Sequence, residues 1–501
     1  MSNAATLLTR AAERFADRPA VKLDDTVIPY AAVDQATQRV AGLLRARGVG
    51  PGDRVGLQLP NVPYFPFAYY GILRLGAVVV PMNPLLKDRE VAFQLSDSGA
   101  KAVFAWHQFA EAAQGGAGQA GAECILVEPG GFDALLGAAE PVAEVADRGD
   151  GDGAVIIDPS GTTGTPKGAE LTHHNLIDGA EVGVDLVDMR CESVTLGALP
   201  LFHVFGMNSA MNATTLGGAC LTLLPRFDPS KALEVMDRDG VTNFLGVPTM
   251  YAALLHHPER ERFDTSRMDL CISGGAAMPV EVLRGFEAAF DCKVLEGYGL
   301  SETTGMATFN PPDRERKPGS IGLPVRGVRI RMVDDRDAEV PQGEVGELVL
   351  QSPHLMKGYW NRPEATEDVM RGGWFHTGDM ARFDEEGYIF IVDRKKDLII
   401  RGGYNVYPRE VEEVLYEHPA VREVAVIGVP HESLGEDVGA VVAFKDNASA
   451  TPDEIRDFAK QRVAAYKYPR QVWVVDELPK GPTGKILKRE IKAPEEARAG
   501  G

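Results

Sequence analysis

A loop rich in glycine and hydroxyl groups carries the clearest chemistry in this sequence. It runs Ser160-Gly161-Thr162-Thr163-Gly164-Thr165-Pro166-Lys167-Gly168 and follows residues 154–157, whose apolar, mostly β-branched side chains predict a buried strand. Glycines let backbone N–H groups approach an anion, hydroxyl groups donate hydrogen bonds to its oxygens, and Lys167 adds a positive charge. The loop therefore predicts a phosphate-binding site, although its composition alone would also suit an exposed flexible loop. No Ser or Thr follows Lys167, so it is not a P-loop of the G-x-x-x-x-G-K-[ST] type.

Two further strand-like stretches end in glycine-rich turns. Residues 270–273 lead into Gly274-Gly275-Ala276, and residues 294–296 lead into Gly297-Tyr298-Gly299-Leu300-Ser301-Glu302. In open α/β sheets, ligands bind beyond the carboxyl ends of the strands. Several such turns in one chain predict a single nucleotide cleft that is built from several strand ends.

The elements that must position these turns follow an α/β pattern. Helical and strand-like stretches alternate through the first half of the chain, which predicts parallel sheets covered by helices on both faces. From about Gly319 short strands and turns follow, and beyond Asp393 a small α+β unit begins. The Gly/Ala/Gln-rich residues 112–121 are compatible with a loop or with a weak helix. Helical spacing is found over residues 6–15, 33–47, 65–75, 411–416 and 452–462.

One long uncharged stretch, residues 193–225, would by itself suit a membrane span. Pro200, His203, Asn208 and Asn212 interrupt it, so we expect a strand, a loop, a buried helix and a second strand inside a large core.

Composition narrows the class of protein. A chain of 501 residues exceeds one hydrophobic core, so we expect two or more domains. The formal net charge of −20 argues against a broad surface for nucleic acid or for an anionic membrane. The first ten residues lack the apolar core of a signal peptide. No C-x-x-C pair occurs, which argues against a disulfide framework or a zinc site and suits the cytoplasm; the five cysteines are Cys124, Cys191, Cys220, Cys271 and Cys292.

Together, these motifs resemble the signatures of the adenylate-forming superfamily, which includes acyl-CoA synthetases, firefly luciferase and the adenylation domains of peptide synthetases. The resemblance runs from Asp53-Arg54-Val55 to Gly484-Lys485, and the chain is most similar to a stand-alone acyl-CoA synthetase. It implies an α/β fold whose large N-terminal domain has stacked, mostly parallel sheets with helices and a small β-barrel-like subdomain. A small, mobile α+β C-terminal domain would follow. We expect the domains to cover residues 1–394 and 395–501, in a monomer or a homodimer without a transmembrane segment.

The resemblance also implies ATP, Mg²⁺ and CoA as ligands. Residues 160–167 would hold the β- and γ-phosphates, Tyr298 would stack on adenine, and Glu302 would bind Mg²⁺. Asp379, in Trp374-Phe375-His376-Thr377-Gly378-Asp379, would bind both ribose hydroxyls, and Arg394 the ribose or a phosphate. The nucleotide-binding residues implied in this way are Ser160, Gly161, Thr162, Thr163, Gly164, Lys167, Gly275, Ala276, Glu296, Gly297, Tyr298, Gly299, Ser301, Asp379, Ile391, Arg394 and Lys485.

The resemblance assigns two half-reactions to two segments of the C-terminal domain. Lys485 would bridge the substrate carboxylate and the α-phosphate during adenylation. Another segment would line the pantetheine tunnel during thioester formation, and Lys396 would be the hinge. The catalytic residues implied are Lys485, Glu302, Thr163 and His203, and those of the thiol tunnel are Gly402, Gly403 and Tyr404.

The stretch Pro200-Leu201-Phe202-His203-Val204-Phe205-Gly206 resembles the border of the family's acyl pocket. An apolar pocket suits a carboxylic acid whose acyl chain carries no charge. Residues 200–212 contain no Asp or Glu that could pair with the ammonium group of an amino acid substrate. His203 is equally compatible with a pocket gate and with a packed histidine. The acyl-pocket residues implied are His203, Val204, Phe205, Met207, Gly275, Gly299 and Met306.

These features predict ATP-dependent activation of a carboxylic acid to acyl-AMP, with release of pyrophosphate and transfer to the thiol of CoA. We expect a medium- or long-chain fatty acid, and a cinnamate- or benzoate-like aryl acid is the alternative. An acyl carrier protein is an alternative acceptor. Residues 460–492 contain nine Lys or Arg and three Asp or Glu, and this local positive charge is compatible with binding the CoA phosphates, with binding an acidic carrier protein, and with a simple solvated surface. A luciferase-like oxygenase and a non-catalytic acyl-adenylate-binding homologue are the other classes. The short span between Glu347 and Tyr359 favours transfer to CoA over release of acyl-AMP.

One departure from the family lies at the start of the phosphate loop. The family commonly has Tyr-Thr before Ser-Gly-Thr-Thr-Gly, and this chain has Asp158-Pro159. The change places an acid near the triphosphate site and removes a backbone N–H. We expect either weaker ATP binding or an Asp158 side chain that points away.

Overall fold

Four sheets contain all 26 strands of the described part of the computed structural model, which covers residues 2–158, 167–402, 404–431, 433–482 and 484–491. In chain order the strands are β1 (Pro19–Leu23), β2 (Thr26–Pro29), β3 (Arg54–Gln58), β4 (Val78–Pro81), β5 (Ala100–Trp106), β6 (Glu123–Val127), β7 (Gly153–Ile157), β8 (Ala169–Thr172), β9 (Val194–Gly197), β10 (Cys220–Leu223), β11 (Asn243–Gly246), β12 (Leu270–Ser273), β13 (Lys293–Tyr298), β14 (Thr308–Phe309), β15 (Leu323–Pro324), β16 (Arg329–Val333), β17 (Gly346–Gln351), β18 (Gly358–Tyr359), β19 (Met370–Arg371), β20 (Trp374–Phe383), β21 (Ile389–Arg394), β22 (Ile399–Arg401), β23 (Tyr404–Val406), β24 (Val421–His431), β25 (Gly435–Phe444) and β26 (Gln471–Val474).

The helices fall mainly between these strands. They are α1 (Thr6–Phe15), α2 (Tyr30–Arg45), α3 (Tyr64–Arg74), α4 (Asp88–Ser98), α5 (Ala110–Ala120), α6 (Gly131–Ala138), α7 (His173–Leu186), α8 (Ala213–Leu216), α9 (Pro229–Asp239), α10 (Pro248–Leu255), α11 (Val280–Phe290), α12 (Pro363–Val369), α13 (Pro408–Tyr416) and α14 (Pro452–Lys460), with a π-helix at Phe205–Asn212 and a 3₁₀ turn at Ser301–Thr303.

Two mostly parallel sheets form the large N-terminal part. One has nine strands in the order β15-β14-β13-β12-β11-β9-β10-β1-β2, and the other has seven in the order β18-β8-β7-β4-β3-β5-β6. Strands such as β4 and β7 are buried along their whole length, as is typical of parallel strands covered on both faces. The expected α/β fold is confirmed.

Two smaller sheets follow. Strands β16, β17, β19, β20 and β21 form a five-stranded antiparallel sheet, at the place where a β-barrel-like subdomain is expected. Strands β22 to β26 form the last sheet, and α13 and α14 pack in its core cluster through apolar side chains such as Val411 and Ile455. The buried members of that cluster all come from residues 399–459, so this unit has a core of its own.

The uncharged residues 193–225 fold as the sequence predicts. They form β9, a loop, the fully buried π-helix at Phe205–Asn212, α8 and β10, all inside the N-terminal core. Among the described residues, no helix combines the length and the apolar character needed to cross a bilayer.

Of the Gly/Ala-rich residues 112–121, which are compatible in sequence with a loop or a helix, residues 112–120 belong to helix α5 and Gly121 caps its end. A Cβ at Gly116 would lie 2.6 Å from the Asp88 carbonyl oxygen and 2.6 Å from Val91 Cβ. The small residues therefore allow α5 to pack directly against α4, and this packing compensates for their weak helix propensity.

Arg74 is a buried charge that joins several N-terminal elements. Its guanidinium pairs with the Asp34 carboxylate of α2, donates to the Ala143 carbonyl at 2.6 Å and lies 3.3 Å from Thr37 Oγ1. Only 1% of its side chain is exposed, whereas the similar Arg190–Asp188 pair lies at the surface.

We expect Arg74→Met to destabilise the N-terminal part by about 3 kcal/mol, because it leaves a largely buried carboxylate without its partner. The matched variant Arg190→Met should change stability by less than about 1 kcal/mol. The check is the urea midpoint of the first unfolding transition. Equal shifts for the two variants would contradict a special role for the buried pair.

Candidate active site

Three neighbouring parallel strands of the nine-stranded sheet end at one cavity. Strands β11, β12 and β13 run side by side, and the turns that follow them line a cavity of about 780 Å³. The structure thus brings together the glycine-rich turns that the sequence places after strands. Wall residues from the ends of these strands and from the turns include Val247, Gly274, Gly275, Ala276, Gly297, Tyr298 and Gly299.

Close backbone contacts give this wall its shape. A Cβ at Gly299 would lie 2.2 Å from the Gly305 carbonyl oxygen, so the turn after β13 cannot close with a larger residue. On the facing side, His203, Val204 and Phe205 line the cavity where the chain enters the π-helix. Local π-helical turns are frequent at functional sites.

Glu302 presents a buried carboxylate at the cavity wall. It lies in the 3₁₀ turn after β13, with 8% of the residue exposed. Its Oε1 accepts a hydrogen bond from the Tyr359 hydroxyl at 2.8 Å. Burial raises the pKa of Glu302, and the hydrogen bond from Tyr359 opposes this rise by stabilising the ionised form.

Asp379 is a second buried carboxylate, and it joins three parts of the site. It lies on β20 with 3% of the residue exposed and accepts a hydrogen bond from the Tyr298 hydroxyl. Arg394, its partner across the β20–β21 pair, places Nε 3.0 Å from Asp379 Oδ1. Desolvation raises the pKa of Tyr298, and the charge of Asp379 raises it further.

Lys485 reaches the same cavity from the C-terminal unit. The loop that carries it contacts α10, since Thr249 Oγ1 donates to the Gly484 carbonyl at 2.9 Å. The residue is exposed and lines the cavity, and desolvation by the surrounding protein lowers the pKa of Lys485 to about 8. The positive charge of Arg394 lowers this pKa further, and the carboxylates of Asp379 and Asp397 oppose that effect.

His203 is half-buried in the cavity wall. Its Nδ1 accepts the Phe205 backbone N–H at 3.3 Å. Desolvation lowers the pKa of His203 to about 4, with the charge of Lys485 as the second cause. The imidazole is therefore neutral at physiological pH and offers hydrogen bonding rather than positive charge.

Glu296 and Arg409 connect the cavity wall to helix α13. Glu296 Oε1 accepts the Met278 backbone N–H at 3.1 Å and lies 3.8 Å from Arg409 Nη2. Burial raises the pKa of Glu296 to about 7, and the charge of Arg409 opposes the rise. Arg409 also donates to the carbonyls of Ile391 at 2.9 Å and Gly319 at 3.1 Å.

Other residues expected at the site occupy varied positions. Lys167, Ser301, Ile391 and Lys396 line the cavity. Met207 is fully buried in the core, and Met306 packs against α7, where its Cε would lie 3.4 Å from a Cβ at Gly183. Gly402 and Tyr404 are exposed on the β22–β23 hairpin, outside the described wall of the cavity. Outside the described residues lie Ser160, Gly161, Thr162, Thr163, Gly164 and Gly403.

Three residues that sequence analysis gave no role also meet at the site: Tyr359, Thr249 and Arg409. Arg409 stands in the stretch after Gly402 that the resemblance assigns to the thiol tunnel, and that assignment did not point to its contact with Glu296. Tyr359 and Thr249 lack any local signal, because their partners lie more than 50 residues away in sequence.

Asp158 turns its side chain towards helix α4. Its Oδ2 accepts a hydrogen bond from Gln94 Nε2 at 2.5 Å, and the residue is half-buried. Burial raises the pKa of Asp158 to about 6, and the nearby Asp97 carboxylate raises it as well. Oδ2 is thus directed at α4, while Oδ1 would lie 3.7 Å from a Cβ at Gly168, at the end of the phosphate loop.

Comparison with known proteins gives full-length matches. The sequence matches the profile of the AMP-binding enzyme family over residues 8–360 and of the AMP-binding enzyme C-terminal domain over residues 410–485. It is 38% identical to a long-chain-fatty-acid–CoA ligase of Bacillus subtilis (strain 168), over 97% of this chain and 93% of that protein. It is also 38% identical to a feruloyl-CoA synthase of an Amycolatopsis species, over 94% and 95% of the two chains. The crystal structure of ATP-bound MatB from Rhodopseudomonas palustris superimposes with a TM-score of 0.90, 35% identity and 97% coverage of both chains.

The raised pKa of Asp158 predicts a pH-dependent stability. Its folded-state pKa of about 6 lies above the ordinary 3.8, so its contribution to stability is present below about pH 4 and is lost as the pH rises through 6. Asp158→Asn should therefore raise the melting temperature by about 2–4 °C at pH 8 and leave it unchanged at pH 4.

Asp152→Asn is the control, and its effect on stability should depend on pH in the opposite direction, because a hydrogen bond from the Gly149 N–H lowers the pKa of Asp152. Thermal melts of both variants across this pH range check the prediction. An Asp158→Asn effect that does not change with pH would show that its carboxylate titrates normally.

Proposed function

The chain belongs to the AMP-binding enzyme family, and on this premise we propose that it activates a carboxylic acid with ATP and transfers the acyl group to the thiol of CoA. One observation carries the proposal: Glu302, Asp379 and Lys485 come from three different parts of the chain and line one cavity. A nucleotide, a divalent cation and a carboxylate substrate together need carboxylates and a cationic side chain in one place.

The chemistry of the first half-reaction explains the need for positive charge. A carboxylate is a poor acyl donor, because its oxygen is a poor leaving group. Attack of the carboxylate on the α-phosphate gives a mixed anhydride, acyl-AMP, and releases pyrophosphate. Negative charge gathers on the α-phosphate oxygens in the transition state, so a cation placed there lowers the barrier. We assign this role to Lys485, which is largely protonated at neutral pH with its pKa of about 8.

The nucleotide would be held by groups that already face the cavity. Asp379 has two carboxylate oxygens that can accept from the two vicinal ribose hydroxyls, and one of them accepts from Tyr298 in this structure. A bound ribose would replace the Tyr298 hydroxyl there and leave the ring beside the base. Residues 160–167 would hold the β- and γ-phosphates, as the resemblance implies.

Glu302 fits a cation that arrives with ATP. Within the described part of the chain, no cluster of three or more His, Cys, Asp or Glu side chains could hold a metal ion by itself. Mg²⁺ is commonly bound through one or two carboxylates and completed by phosphate oxygens and water. The single carboxylate of Glu302 at the cavity wall meets that need, and Mg²⁺ bound there would neutralise charge on the triphosphate.

For the second half-reaction we propose that two units change their relative orientation. Residues 1–394 would form one unit and residues 395–501 the other, with Lys396 as the hinge. The separate core of the last sheet and the exposed position of Lys396 support this division. In the structure Lys485 faces the cavity while Gly402 and Tyr404 lie outside it, so the thiol tunnel would form only after rotation.

The acid is proposed to be a medium- or long-chain fatty acid. Val204, Phe205 and Val247 give the cavity an apolar side, which suits an uncharged acyl group. An aryl acid is the second candidate, because the feruloyl-CoA synthase is as similar to this chain as the fatty-acid ligase.

Pyrophosphate release across a series of acids tests the proposal. Acids from acetate to palmitate, with cinnamate and benzoate, are each supplied with ATP, Mg²⁺ and either CoA or an acyl carrier protein. We expect the highest kcat/KM for a fatty acid of eight or more carbons with CoA as acceptor. A preference for cinnamate would support the aryl alternative, and no turnover with any acid would contradict the proposal.

Lys485→Ala should separate the half-reactions. We expect acyl-AMP formation to fall by about 100-fold or more, because the variant loses the cation at the α-phosphate. Conversion of supplied acyl-AMP to acyl-CoA should change by less than about threefold. The matched variant Lys445→Ala removes a lysine of the same unit that lies outside the described wall of the cavity and should leave both rates unchanged. Equal losses in both half-reactions would refute the separate role of Lys485.

A further inference from the structure

The segment around Tyr359 holds Glu302 at two points. The Met356 backbone N–H donates to the Glu302 carbonyl at 2.7 Å, and the Tyr359 hydroxyl donates to Glu302 Oε1 at 2.8 Å. The backbone and the carboxylate of Glu302 are therefore both fixed by one short piece of chain. The Tyr359 hydroxyl occupies one lone pair of this carboxylate and leaves others to accept from or bind a ligand in the cavity.

The same segment also holds the end of the phosphate loop. Strand β18 pairs with β8, which begins just after Lys167 and Gly168, and the Trp360 N–H donates to the Gly168 carbonyl at 2.7 Å. The ammonium group of Lys167 lies 5.6 Å from the centre of the Tyr359 ring, within the range of a cation–π contact. Tyr359 thus contacts Lys167 with its ring and Glu302 with its hydroxyl.

We propose that Tyr359 is a positioning residue for ATP and its divalent cation. Its hydroxyl orients the Glu302 carboxylate towards the cation, and its ring holds Lys167 on the side where the phosphates bind. This inference rests on the proposed function, because it assumes that the cavity binds ATP. Glu302 and Lys167 are 135 positions apart in the sequence, and the Tyr359 side chain contacts both of them.

The two contacts can be separated by two variants. Tyr359→Phe removes the hydroxyl and keeps the ring, whereas Tyr359→Leu removes both. Tyr388→Phe is the matched control: this buried tyrosine donates its hydroxyl to the Glu315 carbonyl, and it contacts neither Glu302 nor Lys167. Melting temperatures of all variants show whether each one is folded.

The measurement is the affinity for ATP by isothermal titration calorimetry, once with Mg²⁺ in excess and once with EDTA. We expect Tyr359→Phe to bind ATP about tenfold more weakly with Mg²⁺ and with unchanged affinity in EDTA, since only the orientation of Glu302 is lost. Tyr359→Leu should bind more weakly under both conditions, because Lys167 also loses its contact. Tyr388→Phe should match the wild-type protein under both.

Two results would overturn the inference. Tyr359→Phe that binds ATP like the wild-type protein in Mg²⁺ would show that the hydroxyl does not orient Glu302. An equal loss of affinity with Mg²⁺ and with EDTA would show a general structural role instead. In both cases the wild-type protein binds ATP, so the proposed function stands. A wild-type protein that binds no ATP would overturn the proposed function, and the assignment of Tyr359 with it.

Discussion

The buried carboxylate of Asp379 is the constraint on which the rest of the site depends. A buried charge is costly unless hydrogen bonds and opposite charges satisfy it. Here Tyr298 comes from the end of β13 and Arg394 from the end of β21, and the charge of Asp379 also acts on Lys485. Satisfying one carboxylate therefore brings together the ligand edge of the nine-stranded sheet, the proposed hinge and the lysine of the C-terminal unit.

The electrostatic pattern of the cavity follows from the same burial. Desolvation lowers the pKa of Lys485 and of His203 and raises the pKa of Glu302 and of Glu296. Each ionised group is less well solvated than it would be in water and so gains more from a ligand of opposite charge. A triphosphate with its cation supplies both signs of charge, which is why this cavity suits a metal–nucleotide ligand.

Local pattern predicted most of the fold, and contacts between distant segments account for what it missed. The predicted helix over residues 6–15 coincides with α1, and residues 193–225 fold into the predicted strand, buried helix and strand. The sequence of α5 is compatible with a loop or with a helix, because its glycines have a weak helix propensity. Their packing against α4 accounts for the helix. The family resemblance assigned Glu302, Asp379 and Lys485 to the site, and all three line the cavity, but it could not show that Tyr359 bonds to Glu302, that Arg409 reaches Glu296, or that Asp158 turns to Gln94.

We propose that this cavity forms acyl-AMP before any thiol takes part. Exchange of labelled pyrophosphate into ATP, measured with a fatty acid and Mg²⁺ in the complete absence of CoA, tests it most directly. We expect pyrophosphate exchange that requires the acid and does not require CoA, because Lys485 already faces the cavity in this structure. Exchange that appears only after CoA is added would contradict it.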